Sequence, residues 1–395
     1  MIDRLTLHNF KAFQHTELQL GPLTLLTGLN SSGKSSVLQS LALLRQSYDS
    51  GDLAISALLP EGHRAGLRTS VSNQGFLLNG ELLSLGTGED VLHEDFTEDE
   101  PRIGLAVDEG PYHYGWTAEY EGEQNLLPLR TVELPRDAEG AATPTGPEAV
   151  TPAFLTAPFQ YLHADRISPA EFYPRDHHAA VGRGFLGVRG EHAVNYLRHH
   201  REDPVPQGPL RHPKAASDLL IDQAAAWMGD LCPGVDIRAD AIAGADAVRL
   251  SYGFQGTLGA TRRRRPSNVG FGLTYVLPVV VACLSARPGT LILLENPEAH
   301  LHPQGQTQMA TLTASAAAQG AQVIMETHSD HVINGVRLAV KHGRLTPAQA
   351  VFHYFRGDGT GVEIVSPRID ADGMLDKWPE GFFDELENTL DQLIG

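Results

Sequence analysis

The segment Gly28-Leu29-Asn30-Ser31-Ser32-Gly33-Lys34-Ser35 constrains this chain more than any other. It has the form G-x-x-x-x-G-K-[ST], which acts as a phosphate cradle only between a buried strand and a helix. Both flanks agree. Leu23-Thr24-Leu25-Leu26 reads as a short buried strand, and Val37, Leu38, Leu41 and Leu44 recur at helical spacing. Glycines let the backbone wrap an anion with no Cβ in the way. The turn and the helix start present several N–H groups to it. Lys34 is placed to reach the β- and γ-phosphates of a nucleotide, and the Ser35 hydroxyl to ligate Mg2+. Asn30, Ser31, Ser32, Gly33 and Ser36 complete the loop expected to hold ATP.

Two later segments support this. Residues 291–303 read LILLENPEAHLHP. An apolar strand ending in an acid is where such a nucleotide site holds its Mg2+, and Leu291–Leu294 delivers Glu295 to that point. Residues 323–329, VIMETHS, form a second buried strand that ends in a polar group with one histidine, His328. Alone, His328 reads as a satisfied strand-end histidine; beside the other motifs, it reads as a sensor of the γ-phosphate.

The order Asn9-Phe10-Lys11, phosphate loop, long middle, glycine motif, ENPEAHLHP and THSDH resembles the ABC-type ATPase heads, with RecF/SMC-like and OLD-like ATPases as relatives. ENPEAHLHPQGQ, ETHSDHVINGVR and WPEGFFDE (378–385) narrow the resemblance to bacterial AAA-type ATPases that end in a small uncharacterised domain. It covers roughly residues 1–50 and 265–395. It implies an α/β P-loop NTPase fold, a mixed sheet flanked by helices. It also implies that Ser267-Asn268-Val269-Gly270-Phe271-Gly272 is the signature motif, with Ser267, Asn268, Gly270 and Gly272 closing on the γ-phosphate of a second subunit. The plain alternative is a glycine-rich turn into a core helix. The motif departs from LSGGQ, which leaves open which residue touches phosphate.

A second departure concerns hydrolysis. ABC-type heads end the Mg2+ strand in Asp-Glu, with the Glu as general base; here Glu295 and Asn296 stand there. Asn orients a water but cannot take its proton, and general-base catalysis is worth roughly 10²–10⁴-fold. Hydrolysis is therefore expected to be slow, unless Glu298 or His328 substitutes. Glu298 reads equally well as a brace for the following turn. Asp330 and His331 either face a partner subunit or start a helix.

Composition limits the rest. The net charge is −18, and Glu81–Glu148 holds 17 acids against 3 arginines, which leaves only −4 for the remaining chain. A generally basic DNA-coating protein is excluded. The dense basic run Arg262-Arg263-Arg264-Arg265 reads as a nucleic-acid contact, a contact to a neighbour's acidic segment, or a solvated loop. Two cysteines, Cys232 and Cys283, rule out a disulfide scaffold and fit a reducing cytosol. No run approaches the ~20 apolar residues of a membrane span, and charges at the N-terminus argue against export, so a cytoplasmic protein is expected. His300 and His302 lack a third ligand for zinc. Asp370-Ala371-Asp372-Gly373 reads as a turn rather than a Ca2+ loop or a nuclease acid pair.

The expected layout is a split head (1–55 and 265–350), a mixed α+β insertion (56–264) with a mobile loop near 135–152, and a small C-terminal element (351–395). In that element Phe383, Leu386, Leu390 and Leu393 mark an amphipathic helix. The expected activity is that of a slow ATPase; the resemblance implies that it forms an ATP-sandwich homodimer, or a higher even oligomer, and drives or gates a separate effector, nuclease-linked, in phage defence or DNA repair. The rivals are a nucleotide-gated scaffold with negligible hydrolysis and, more remotely, a P-loop kinase.

Overall fold

Alternating residues at the N-terminus form two paired strands. With elements numbered along the chain, β1 (Arg4–Phe10) and β2 (Phe13–Gln19) are antiparallel, with Leu5 opposite Leu18. The computed structural model describes residues 1–53, 74–96, 99–133, 151–231, 233–256, 259–357, 361–379 and 392–393. Its chain divides into two compact units: Met1–Gly21, Leu29–Ala157 and Phe355–Ile364 form the first, and Pro22–Gly28, Pro158–Tyr354 and Val365–Gly395 the second.

In the first unit, α1 (Lys34–Asp49) buries Val37, Leu38, Leu41 and Leu44, as their spacing requires. The strands β4 (Gly75–Leu77), β5 (Arg102–Glu109), β6 (Tyr112–Glu119) and β7 (Leu126–Glu133) join β1 and β2 in the order β2-β1-β5-β6-β7-β4. Along β5, Ile103, Leu105 and Val107 point inward and their neighbours outward, the period-two pattern of a half-buried strand. The β5–β6 hairpin turns at Gly110, φ +58°. Gln46 on α1 ties this layer together: its Oε1 accepts from Leu82 N and Leu83 N, and its Nε2 donates to Leu77 O, each at 2.8 Å. The short α2 (Ala153–Thr156) is capped by Glu109, which accepts from Ala153 N and Phe154 N.

The second unit centres on strands β3 (Leu23–Gly28), β8 (Phe159–Leu162), β13 (Leu291–Glu295) and β14 (Gln322–Glu326). They are parallel, within a sheet ordered β16-β15-β3-β14-β13-β8, where β15 is Ala350–Gly357 and β16 is Val362–Val365. A smaller sheet contains β10 (Val235–Ala241), β11 (Ala247–Gly256) and β12 (Gly259–Ala260), with β9 (Tyr173–Pro174) paired to β11. Its helices are α3 (Ala193–His199), α4 (Leu220–Leu231), α5 (Phe271–Ser285), α6 (Pro303–Ala318) and α7 (Asp330–Lys341). Helix α5 is apolar all round and buried from Leu273 to Leu284, the pattern of a central core helix. Burial there pushes the Cys283 thiol up to about 12. His302 caps α6 with Pro303 at the first helical position, and Ser329 caps α7 by accepting from Val332 N.

The stretch 56–264 does not stand apart as one insertion. Strand β5 pairs with β1, whereas β8 pairs with β13, so its strands are shared between the sheets of the two units. Most of the 135–152 loop, Cys232 and most of the expected C-terminal helix, including Phe383, Leu386 and Leu390, lie outside the described residues. Among the described residues, no helix is long and apolar enough to cross a membrane.

Candidate nucleotide site

In the first unit, the loop after Leu29 leads straight into α1. Ser31 has φ +60° and Gly33 φ +91°, so the backbone turns twice through the left-handed region before α1 begins at Lys34. A Cβ on Gly33 would lie 2.7 Å from Phe13 Cζ and 2.9 Å from Ala12 Cβ, so the β1–β2 turn leaves room only for glycine. No side chain caps α1, which leaves its N-terminus the character of an anion site. The Ser32 hydroxyl donates to Leu29 O at 2.7 Å, and Lys34 Nζ to the same oxygen at 2.5 Å. Asn30 and Ser31 are exposed; Lys34 and Ser36 are buried.

In the second unit, the parallel register brings three strand ends to one edge. Leu26 is opposite Glu326, and Glu326 is opposite Glu295. Gly28, the first glycine of the phosphate loop, ends β3 on that edge. Glu295 is gripped from β8: Tyr161 Oη donates to its Oε1 at 2.5 Å, and Ala164 N to its Oε2 at 2.9 Å. Asn296 stands at φ +44°; its N–H donates to Glu326 O at 2.9 Å, and its buried Oδ1 has no hydrogen-bond partner. Glu298 is 5 % exposed. Its Oε1 accepts from Thr327 Oγ1 at 2.7 Å and His328 N at 3.2 Å, while its buried Oε2 has no partner. Burial pushes the Glu298 carboxyl above its ordinary range, against the pull of those donors and of Arg166. The half-exposed His328 ring lies 3.7 Å from Glu326 Oε1.

Sequence reasoning missed Arg166. It is 1 % exposed, donates from Nη1 to His163 O and Glu295 O (2.9 and 2.7 Å) and from Nη2 to Asn296 O (2.6 Å), and lies 4.0 Å over the Tyr275 ring. Burial lowers its pKa to about 10, so the guanidinium stays charged at neutral pH. Tyr161 and Tyr275 were missed as well; Tyr275 Oη donates to Ala164 O. No local signal marks these residues, because their roles exist only once β8 lies beside β13.

The signature-like turn belongs to the same unit. Ser267, Asn268 and Gly270 are exposed, and Gly270 opens α5 without a side-chain cap. Gly272 is packed so closely that a Cβ would lie 2.7 Å from His300 O, and the Phe271 and His300 rings are 4.8 Å apart. Of the arginine run, Arg263 pairs with Asp236, Arg265 pairs with Glu171 at 2.5 Å, and Arg264 lies over Phe254. The 370–373 segment is a turn in which Asp370 Oδ1 accepts from Asp372 N and Met374 N. Among the described residues, no group of three or more His, Cys, Asp or Glu could hold a metal by itself. In the first unit, the Gly33 cradle and the start of α1, with no side-chain cap, fit a phosphate site; in the second, the Asn296 and Glu298 oxygens without hydrogen-bond partners are acceptors left over at the strand ends.

A strand that feeds G-x-x-x-x-G-K-S into a helix, in a sheet whose parallel strands β13 and β14 end in Glu295 and Glu326, is the arrangement of a P-loop NTPase, here of ABC type. The chain belongs to the family described as "AAA domain, putative AbiEii toxin, Type IV TA system", which matches residues 23–334; a family of unknown function, DUF3696, matches residues 345–393. The fold is similar to an SMC head bound to the C-winged helix domain of ScpA, with TM-score 0.51 and 14% identity over 93% of this chain and 97% of that one. An SMC head from Thermotoga maritima also matches, with TM-score 0.43 and 14% identity over 92% and 98% of the two chains. So does an Smc head with an extended coiled coil, bound to the C-terminal domain of ScpA derived from Pyrococcus furiosus, with TM-score 0.47 and 12% identity over 100% and 99%. No curated protein matches the chain.

Proposed function

We propose that the chain binds Mg-ATP and hydrolyses it slowly, and that two ATP-loaded copies close on each other and set the state of a separate effector. Lys34 and the N–H groups of residues 30–36 would hold the β- and γ-phosphates, with Ser35 and Glu295 holding Mg2+. The bound metal would supply charge neutralisation at the phosphates. His328, exposed at the end of β14, would contact the γ-phosphate. Ser267, Asn268 and Gly270 would contribute in trans, because they are exposed and, among the described residues, nothing lies within 4 Å of a Cβ built on Gly270; Gly272, packed against His300 O, would hold the turn in place for them.

The observation that carries the slow-hydrolysis reading is the pair Asn296 and Glu298. Asn296 occupies the position of the base and cannot accept a proton. Glu298, two residues on, is a buried carboxylate with one oxygen free of partners. It is the acceptor for a proton from the attacking water, and hydrolysis is slow because Asn296, at the position of the base itself, cannot take that proton. The neutral Asn296 also favours a second reading, in which ATP is held with negligible hydrolysis and the protein is a nucleotide-gated scaffold.

The effector reading rests on less. An SMC head of the same fold is recorded with a ScpA domain bound, and the family description names a toxin of a type IV TA system. Both fit a head that passes its nucleotide state to another protein; a nuclease as that effector, in phage defence or DNA repair, rests on the sequence resemblance alone. The arginine pairing within the second unit weighs against Arg262–Arg265 as a nucleic-acid contact.

ATP turnover and molar mass test the reading, with Lys34→Ala and Asn296→Glu beside wild type. Slow wild-type turnover, ATP-dependent dimers and faster Asn296→Glu support it. Fast wild-type turnover unchanged by Asn296→Glu overturns the slow clock. Lys34→Ala that still binds ATP overturns the nucleotide site.

A further inference from the structure

We propose that Tyr161 is a positioning residue for the metal side of the site: its hydroxyl, on the strand beside the one that carries Glu295, aims the Glu295 carboxylate. The inference rests on the reading above that Glu295 helps hold Mg2+.

The geometry is specific. Strand β8 runs parallel to β13 with Leu162 opposite Leu294, so the chain leaving β8 passes beside the end of β13. Ala164 N holds Oε2 at 2.9 Å, and Tyr161 Oη holds Oε1 at 2.5 Å. The carboxylate is thereby fixed at both oxygens. A carboxylate offers about four lone-pair positions, so two donors still leave acceptor capacity for a metal or a metal-bound water. The β8 turn is itself fixed, since Arg166 donates to His163 O and Tyr275 Oη to Ala164 O. Tyr161 therefore transmits the placement of a rigid neighbouring strand to a side chain that must meet a metal. Partners that orient metal ligands in this way typically change metal affinity 10–100-fold when removed.

The test uses the full chain and a fluorescent ATP analogue, titrated first in EDTA and then with Mg2+. Tyr161→Phe keeps the ring that fills the core and removes only the hydroxyl. The expected result is a Mg2+ half-saturation about 10–100-fold higher, with metal-free nucleotide affinity within about twofold of wild type. An unchanged Mg2+ midpoint overturns the inference, as does a parallel fall in metal-free affinity, which marks a purely structural role. A second readout is coupling: in a Glu295→Gln background, adding Tyr161→Phe should change the midpoint little, and full additivity overturns the inference. Lys34→Ala separates the two levels. If it binds nucleotide as wild type does, the ATP reading itself fails. If it loses nucleotide while Tyr161→Phe keeps its Mg2+ midpoint, only the role of Tyr161 fails.

Discussion

Replacing Arg166 with methionine should cost far more stability than its place outside every motif suggests. The side chain is 1 % exposed and charged, and it donates three hydrogen bonds to carbonyl oxygens, two of them those of Glu295 and Asn296. Methionine has a similar length and no donor. The substitution strips the donor from two carbonyls at the end of β13 and removes the nearby cation that offsets the Glu295 and Glu298 carboxylates. Asn296 is held at φ +44°, a conformation that costs a non-glycine residue roughly 1–2 kcal/mol and persists only where neighbours fix it. Removing one member of a buried charged network typically costs about 3–5 kcal/mol, and Arg166→Met belongs in that range.

Urea unfolding of the full chain, followed by tryptophan fluorescence, measures the cost; Trp227 reports from the same unit as Arg166. At a slope of ~3 kcal/mol/M, the midpoint should fall by about 1 M or more. Arg166→Lys should lie between the two proteins, because an ammonium keeps the charge but cannot span two carbonyls with a planar fork. A loss below ~1 kcal/mol for Arg166→Met would refute the claim that this guanidinium organises the strand end.

Other outcomes follow from the same geometry. Gly33→Ala forces a positive φ on a residue with a Cβ and presses it against Ala12 and Phe13; a destabilisation of about 2–4 kcal/mol and loss of ATP-analogue binding are expected, and wild-type binding would count against the cradle. Glu298→Gln should lower ATP turnover by about 10²–10⁴-fold while leaving the fold intact or firmer, because the buried group no longer has to ionise. The sign follows from its raised carboxyl: the folded state holds the proton more tightly, so wild type loses stability relative to Glu298→Gln as pH rises from the unfolded value of about 4.3 through the folded one. Urea midpoints across that range check it, and a gap that narrows with rising pH rejects the assignment.

Legibility in the sequence followed the range of the interactions. The phosphate loop and the LILLE strand are local: each depends on residues within a turn or two, and each is readable from spacing. The sharing of strands between sheets was not. Nothing within FQYL says that it will pair with LILL more than a hundred residues later, and nothing in RIGLAVDE names β1 as its partner. The missed residues of the site share this cause. Tyr161 and Arg166 sit in an unremarkable HADR neighbourhood and acquire their roles only through the register of β8 against β13.

On the proposed reading, that register also divides labour among three side chains that look alike on paper. Glu295 receives a donor at each oxygen, which suits a fixed metal ligand and makes it a poor candidate for moving a proton. Asn296 is neutral and cannot receive one. Glu298 is tied at one oxygen and unpartnered at the other, and burial shifts its carboxyl upward, toward the range in which a base works near neutral pH. On the proposed reading, the same brace that fixes Glu298 to Thr327 and His328 N ties the proton acceptor to the strand end that carries the γ-phosphate contact. A shift of β14 on nucleotide closure would then move the base and the sensor together, so the rate of hydrolysis would report closure rather than the strength of the base.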